Sequence, residues 1–247
     1  FKEYYEFIIL QLQYPDYPLE SSDWRKNYES LKSAKKSNYK GLKYNVTYRL
    51  VNAADYGVPQ KRERVIIVGF RSDLKVDWSF PSPTHSEDSL LWSQFITGDY
   101  WEKHHIKCTY SEAKANKLRN SLSERYGFWQ PDLLPWVTIR DVTSDLTCES
   151  IKESKEYPGH TGSFIDEPSK TIKAGDHGVP GGENMVRFAD GTMRYLTIEE
   201  AKRIQTFPDE YFITGSWTEG MRQLGNAVPV QLAYVVGKSV VDALEKS

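Results

Sequence analysis

Two arginines stand two positions apart, where a polar connector gives way to an apolar run. Gln60, Arg62 and Arg64 form a Gln-x-Arg-x-Arg pattern, and residues 65–70 are continuously apolar apart from Gly69. Arginine stays charged when buried and presents planar N–H donors that suit oxygen acceptors. Since it is rarely placed at the end of a buried strand without a partner, this segment is the first candidate site. A core ion-pair network of these arginines is the structural alternative.

The elements that would position the arginines are two strands. Residues 45–51 alternate in character, which predicts a strand with one better-covered face. The residues of that face are Val46, Tyr48 and Leu50. The continuous run 65–70 predicts a strand buried on both faces. Residues 52–59 between the strands are rich in turn formers.

Composition limits the functions that the chain can have. At 247 residues it can hold one large domain or two small ones. The net charge of −2 means that binding to a nucleic acid would need a local basic patch. No signal peptide is visible and no run approaches the roughly 18 apolar residues of a membrane span, so we expect a cytoplasmic protein without membrane contact. Because the chain begins with Phe1 in mid-pattern, we expect part of a longer polypeptide.

The two cysteines and one lysine-rich stretch can be interpreted without a functional site. Cys108 and Cys148 lack metal-ligand spacing, so we predict free thiols and no metal site. The lysine-rich stretch from Lys32 to Lys43 is either a solvated helix and loop or a contact with a nucleic-acid backbone.

Further elements follow from local patterns. Residues 1–13 and 116–126 predict helices, and residues 136–142 predict a strand. Residues 83–167 hold nine Lys or Arg against fourteen Asp or Glu, and they indicate a loop-rich subdomain or insertion. Residues 170–174 and 185–188 are strand-like, with a glycine-rich loop between them that serves a hairpin or a close approach to a ligand.

The C-terminal part contains clear helix signals. Thr197 and Glu200 fit a capping box, with Leu196 and Ala201 as its hydrophobic staple. A last helix is predicted to begin near Pro229. The side chain of Asn226, just before it, either caps that helix or faces a ligand.

Three segments now occur in one order: residues 55–64, 196–208 and 225–229. Together they resemble the last three sequence blocks of prokaryotic DNA (cytosine-5) methyltransferases. The resemblance implies an α/β fold: the C-terminal portion of a doubly wound, Rossmann-like methyltransferase domain plus a small β-containing target recognition domain. The implied domains are 1–82 and 196–247 for the catalytic core and 83–195 for the recognition domain. The family's cofactor-binding glycine loop, Pro-Cys nucleophile and Glu-Asn-Val block have no counterpart in the sequence.

The resemblance also implies roles for individual residues. Arg64 would hydrogen-bond O2 of a cytosine flipped out of the duplex, Arg62 would orient neighbouring groups or a phosphate, and Gln60 would brace the active-site loop. Asn226 and Ala227 would line the S-adenosylmethionine pocket, with only a backbone contact left at Ala227. The implied DNA-contacting residues are Thr171, Lys173, His177, Gly181, Gly182 and Arg187.

The implied activity is methyl transfer from S-adenosylmethionine to carbon-5 of cytosine at a specific site in duplex DNA, in a restriction-modification system. With the nucleophile elsewhere, the isolated chain is expected to be inactive and to need the N-terminal part of the enzyme, in the same or a separate chain. An exposed sheet edge would favour self-association. The alternatives are a non-catalytic DNA-recognition module, a subunit of a split methyltransferase and an RNA-directed relative.

Overall fold

The computed structural model describes residues 2–37, 39–146, 161–174 and 181–246, which contain both helices and strands. The helices are α1 (Lys2–Gln13), α2 (Trp24–Lys36), α3 (Glu87–Trp92), α4 (Asp99–Lys103), α5 (Glu112–Tyr126), α6 (Ile139–Thr143), α7 (Ile198–Ile204), α8 (Trp217–Asn226) and α9 (Val230–Leu244). The strands are β1 (Tyr44–Asn52), β2 (Glu63–Arg71), β3 (His85–Ser86), β4 (Leu134–Pro135), β5 (Ser163–Phe164), β6 (Met185–Arg187) and β7 (Met193–Tyr195). The chain divides into a first unit (Phe1–Leu50, Val65–Pro81, Gly237–Ser247) and a second unit (Val51–Arg64, Ser82–Val236).

The first unit contains the packed pair of helices α1 and α2. The Asp23 side chain accepts the Arg25 N–H at 3.0 Å and caps the start of α2. The apolar face of each helix packs on the other through a small core. The buried residues of that core are Phe7, Leu10, Tyr28 and Leu31.

The two strands that the sequence predicts are present as β1 and β2, and they pair with each other. Ala53 N–H donates to Arg62 O at one end of the pair and Ser72 N–H donates to Lys43 O at the other, both at 2.9 Å, so the strands run antiparallel. The predicted burial is wrong, however. The exposed apolar side chains are Tyr48 at 48%, Leu50 at 60%, Val65 at 51% and Ile67 at 37%. The reason is that, within the described residues, this sheet has two strands and no further layer of sheet beside them.

The second unit has its main core where α6, α7 and α8 meet the three-stranded sheet β5-β6-β7. In that sheet β5 pairs parallel with β6, and β6 pairs antiparallel with β7 through a turn that contains Asp190 and Gly191. The predicted capping box is confirmed, because Thr197 accepts from Glu200 N–H and Glu200 accepts from Thr197 N–H. Both members of the staple, Leu196 and Ala201, are fully buried in this core.

Two of the predicted strands are absent from the described residues. Residues 136–142 instead lead into α6, which begins with a second capping box formed by Thr138 and Asp141. Residues 170–174 form no strand, and only the neighbouring Ser169 makes an isolated parallel bridge, with Gln60. Side-chain hydrogen bonds replace the sheet ladder there, because Lys170 N–H donates to Ser163 Oγ at 2.9 Å.

A buried carboxylate organises a second, aromatic part of this unit. Asp166 is fully buried and accepts hydrogen bonds from Tyr100 Oη at 3.0 Å, Thr109 Oγ1 at 2.9 Å and Arg140 Nε at 2.5 Å. The Arg140 and Asp166 charges therefore balance each other inside the fold.

The stretch Trp217–Leu244 contains an 18-residue window with a mean hydropathy of 1.3, which is long and apolar enough to span a membrane by length and composition alone. The expectation that no run approaches that composition needs this correction. The stretch consists of two helices, α8 and α9, divided around Pro229. Neither helix alone reaches the roughly 20 residues that a span requires.

Candidate functional site

Arg62 lies at a junction of segments that are far apart in the sequence. Its guanidinium donates to Ile172 O at 3.3 Å and to Gly225 O at 3.0 Å. The side chain is buried, with 3% of the residue exposed. Gly225 belongs to the last turn of α8, where carbonyl groups lack partners within the helix and carry partial negative charge. Arg62 therefore caps that helix end while it fixes the segment around Ile172.

No acidic side chain of the described residues balances the charge of Arg62. Its hydrogen bonds within the described residues go to carbonyl and amide oxygens, and its Nε has no acceptor there. Burial, and then the positive charge of Arg64, lower the pKa of Arg62 to about 10. The junction thus holds a cation that stays charged at neutral pH, and within the described ranges no carboxylate takes a hydrogen bond from it.

Gln60 is fully buried next to Arg62 and braces the same segment. Its Oε1 accepts Ile172 N–H at 3.4 Å and an Arg62 donor at 3.5 Å. Lys61 N–H donates to Ser169 O at 2.8 Å and extends this pairing. The Gln60 Nε2 group has no acceptor among the described residues, so one strong donor at the junction is unpaired.

Arg64 differs from Arg62 in its surroundings. It is exposed at the start of β2, and its guanidinium donates to the neighbouring Glu63 O at 2.6 Å. Within the described ranges, the other N–H groups of this guanidinium donate no hydrogen bond. The two arginines of the motif are therefore separated into a buried brace and an exposed donor.

The turn after α8 presents Asn226. Asn226 is exposed as the last residue of α8, and it does not cap α9. Ala227 N–H donates to Gln223 O and Leu224 O, both at 3.2 Å, so its carbonyl is the backbone group that remains for a ligand. A Cβ on Gly225 would stand well inside 3.0 Å of the Ala174 backbone nitrogen, so only glycine fits there.

The segment before the glycine-rich loop is firmly anchored. Thr171 Oγ1 donates to Lys61 O at 2.8 Å, and Ile172 is buried in the core. Lys173 is exposed and forms an ion pair with Glu183. The Lys173 backbone also exchanges two hydrogen bonds of 3.0 Å with the buried Asn184 side chain. The two flanks of the loop are therefore held together.

The other predicted DNA contacts lie on the far side of that loop. Gly181 O accepts Lys170 Nζ at 2.6 Å. Gly182 has a φ of 66°, and a Cβ there would collide with the Gly162 backbone. Arg187 is exposed, with its guanidinium carbon 5.1 Å from the centre of the Phe164 ring. His177 lies outside the described residues, as do five of its neighbours at 175–180.

Sequence reasoning missed Gln205 and Thr206. Gln205 is fully buried, and its Nε2 donates to Leu224 O at 2.6 Å. Thr206 has a φ of 58°, which is unusual for a residue other than glycine. A polar glutamine between the apolar Ile204 and Phe207 was the available signal. Of the two cysteines, Cys108 is a free, exposed thiol as predicted, and Cys148 lies outside the described ranges.

Arg62 thus joins the first and the third of the three blocks to the segment around Ile172. The model of the C-5 cytosine-specific DNA methylase family matches residues 24–242. The chain belongs to the C-5 cytosine-specific DNA methylase family, which confirms the predicted family and its α/β fold class.

Individual relatives include bacterial enzymes. The chain is 35% identical over 209 residues to the Type II methyltransferase M.Eco47II of Escherichia coli, a match that covers 80% of this chain and 46% of that protein. It is 32% identical over 233 residues to M.BsuRI of Bacillus subtilis, covering 81% and 42% respectively. The chain spans about half the length of the curated relatives that it matches. A crystal structure of S. pombe Dnmt2 methyltransferase aligns with a TM-score of 0.49 and 16% identity, over 87% of this chain and 60% of that one.

Proposed function

We propose that this chain is the C-terminal part of an enzyme that methylates carbon-5 of cytosine in duplex DNA. The methyl donor would be S-adenosylmethionine, and the enzyme would serve a cytoplasmic restriction-modification system. Family membership supports this proposal, as do the Type II methyltransferases among the relatives. The proposed division is a catalytic core from residues 1–82 and 196–247 and a target recognition domain from residues 83–195.

One observation carries the proposal. Arg62, in the first of the three family-like blocks, hydrogen-bonds the Gly225 carbonyl in the third block and the Ile172 carbonyl at the start of the predicted DNA-facing loop. Residues 110 and 163 positions apart in the chain are joined by one guanidinium. If the blocks resembled the family only by chance, we would not expect them to meet at one buried side chain.

The roles of the two arginines follow from their surroundings. Arg64 is exposed with free donor capacity, so it suits a hydrogen bond to O2 of a flipped cytosine as charge develops on the ring. Arg62 is too buried to hold a phosphate, so its role would be to orient the segments that it bonds. Gln60 would brace the same segments through Ile172. The two arginines would thus divide catalysis and positioning between them, Arg64 at the base and Arg62 behind it.

The cofactor role rests on Asn226 and Ala227. The Asn226 amide is exposed and not used as a helix cap, and the Ala227 carbonyl is the backbone acceptor left at that turn. These groups fit hydrogen-bond donors and acceptors of S-adenosylmethionine, which supplies an electrophilic methyl group when bound. Both residues would orient that molecule and take no part in proton transfer.

Contact with duplex DNA would involve the segments flanking residues 175–180. Lys173 and Arg187 are exposed cations that could reach phosphates or base edges, and Thr171, Gly181 and Gly182 would set the shape of the loop. His177 lies outside the described residues and remains a proposed DNA contact on sequence grounds. The flanks are anchored by the Asn184 side chain, so DNA would meet a loop with fixed ends.

The N-terminal part of the enzyme would cover the exposed sheet of the first unit. Leu50 and Val65 are more than half exposed, and a groove of about 530 Å³ lined by Leu12, Val46 and Ile67 opens beside them. Covering such apolar surface is favourable by about 25 cal/mol per Å². Without that partner, the same surface would drive self-association.

The test is Arg64→Ala in the full-length enzyme. Methyl transfer from radiolabelled S-adenosylmethionine to a cognate duplex should fall by about 10²–10³-fold, which is typical when a donor that stabilises developing charge is removed. Duplex affinity should fall much less. In the same assay, the isolated chain should show no turnover.

Arg71→Ala is the matched control, because Arg71 is exposed at the other end of β2 and pairs with Asp73. It should retain normal turnover. Equal losses of turnover and duplex affinity in Arg64→Ala would make Arg64 a DNA anchor and overturn its catalytic assignment.

A further inference from the structure

The carbonyl end of α8 is capped by a side chain from the segment that follows α7. Gln205, which follows α7, donates its Nε2 to Leu224 O at 2.6 Å. Carbonyls in the last turn of a helix lack partners within that helix, so they need a donor from elsewhere. Gln205 is fully buried, and its bond fixes the chain two residues before Asn226.

The amide end of α9 is capped by the same dipeptide. Val230 N–H donates to Gln205 O at 3.1 Å, and Gln231 N–H donates to Thr206 Oγ1 at 2.9 Å. Pro229 has no N–H, so these two amides are among the first donors of the helix that need an acceptor. One pair of adjacent residues therefore holds both ends of the turn that carries Asn226.

The backbone conformation of Thr206 is unusual for a threonine. Its φ of 58° lies in the left-handed region, where a β-branched residue is a real outlier. Glycine would adopt this conformation without strain, but it has no hydroxyl. The Thr206 hydroxyl donates to Gln205 O at 2.7 Å and accepts from Gln231 N–H. The hydroxyl therefore explains why a strained threonine stands at this position.

We propose that Gln205 and Thr206 are positioning residues for the Asn226–Ala227 turn. This inference rests on the proposed role of Asn226 and Ala227 in binding S-adenosylmethionine. The side chain of Asn226 is exposed, so its placement depends on the backbone of the turn. Three groups hold that backbone: Gln205 at Leu224, Arg62 at Gly225, and the Gln205–Thr206 pair at the start of α9.

The experiment measures the affinity of the full-length enzyme for S-adenosylhomocysteine, the unreactive product, by calorimetry. Thr206→Val should weaken binding about five- to tenfold, as expected when one hydrogen bond of the turn is lost. Thr206→Ser should keep the hydroxyl and bind within about twofold of the native protein. Duplex affinity should not change in either variant. Thr143→Val is the control, because the Thr143 hydroxyl also donates to a backbone carbonyl, but to one of its own helix, Ile139 O.

A second variant separates positioning from stability. Thr206→Gly removes the hydroxyl and relieves the positive φ, so its thermal midpoint should stay near the native value while its affinity for S-adenosylhomocysteine falls as in Thr206→Val. Native affinity in Thr206→Gly would overturn the inference. If Thr206→Val fails to fold, this variant decides the question.

A double-mutant cycle connects the inference to Asn226. If Thr206 acts through Asn226, the loss of affinity in Thr206→Val combined with Asn226→Ala should be no larger than that of Asn226→Ala alone. Additive losses would overturn the positioning role. If Asn226→Ala alone leaves the affinity unchanged, the proposed cofactor role of that residue fails. Loss in Asn226→Ala without loss in either Thr206 variant refutes only the positioning by Thr206.

Discussion

Arg62 and Arg140 are two poorly exposed arginines of the same unit with opposite electrostatic settings. Arg140 donates its Nε to Asp166 Oδ1 at 2.5 Å, and that carboxylate is fully buried. Arg62 donates to the backbone carbonyls of Ile172 and Gly225. Burial lowers the pKa of Arg140, but the hydrogen bond and charge of Asp166 outweigh it and raise the pKa overall. The pKa of Arg62 is lowered, to about 10, because burial and Arg64 act in the same direction.

Arg140 therefore belongs to a structural ion pair, whereas Arg62 is a cation without a balancing charge among the described residues. At Arg140 the positive charge is neutralised within the fold, so little of it reaches a ligand. Among the described residues, the Arg62 guanidinium donates to carbonyl and amide oxygens and to no carboxylate, so its charge is not neutralised there. A buried cation without an acid is costly to maintain, and it is more easily understood at a site that meets negative charge than in a core.

The largest effect on stability is expected for Arg140→Met. The change leaves the Asp166 carboxylate buried without its cation, which typically costs about 3–5 kcal/mol. Urea unfolding of the purified protein measures this loss. Arg119→Met is the control, because Arg119 donates to Phe95 O and Asn116 Oδ1 rather than to an acid, and it should cost less than about 1.5 kcal/mol. A loss at Arg140 no larger than that of the control would show that the ion pair contributes little.

A smaller loss of stability is expected for Arg62→Met. Two carbonyls lose a donor, which costs about 1–3 kcal/mol, while removal of a desolvated charge offsets part of that cost. Methyl transfer by the full-length enzyme should nevertheless fall far more than in Arg140→Met. If Arg62→Met destabilises the fold more than Arg140→Met does, Arg62 is mainly a structural residue and the contrast between the two arginines is wrong.

The smallest effect concerns the acid dependence of stability at Asp141. Burial raises the pKa of Asp141, but donors from Lys103 and Thr138 outweigh it, so the pKa lies below its usual value of 3.8. A lowered pKa stabilises the fold above the unfolded-state value, and this contribution is lost as the pH falls through the folded-state value. Asp141→Asn should therefore show a shallower decline of unfolding free energy below about pH 4. An unchanged slope in chemical unfolding at several pH values would contradict this assignment.

The sequence predicted secondary structure well where one local signal acted alone. It predicted it poorly where a helix cap and β propensity favoured different conformations. The capping box of Thr197 and Glu200 was recognised and is confirmed. The equivalent box of Thr138 and Asp141 was overlooked, because β-branched residues from Val137 onward favoured a strand. Both segments carry the same pattern of hydrogen bonds. The fully formed box at Thr138 decided the conformation there against β propensity.

Only part of the candidate site could be predicted from the sequence, and the reason is related. Side-chain types identified Gln60, Arg62 and Arg64, but the acceptors of Arg62 are backbone carbonyls, which every residue has. No pattern in the sequence could therefore separate the buried arginine from the exposed one. The cap provided by Thr206 was hidden in the same way, because its partner is a backbone amide 25 positions away.

The junction at Arg62 also affects how the chain folds. Its hydrogen bonds close loops of 110 and 163 residues, whereas the capping boxes form within four neighbouring residues. Folding slows as contacts connect more distant parts of the chain, because the entropy of closing each loop is lost before the contact forms. The helices can therefore form early, and the junction closes late. During refolding, the ability to bind S-adenosylmethionine at the proposed site should then appear in a kinetic phase that follows the formation of most helical structure.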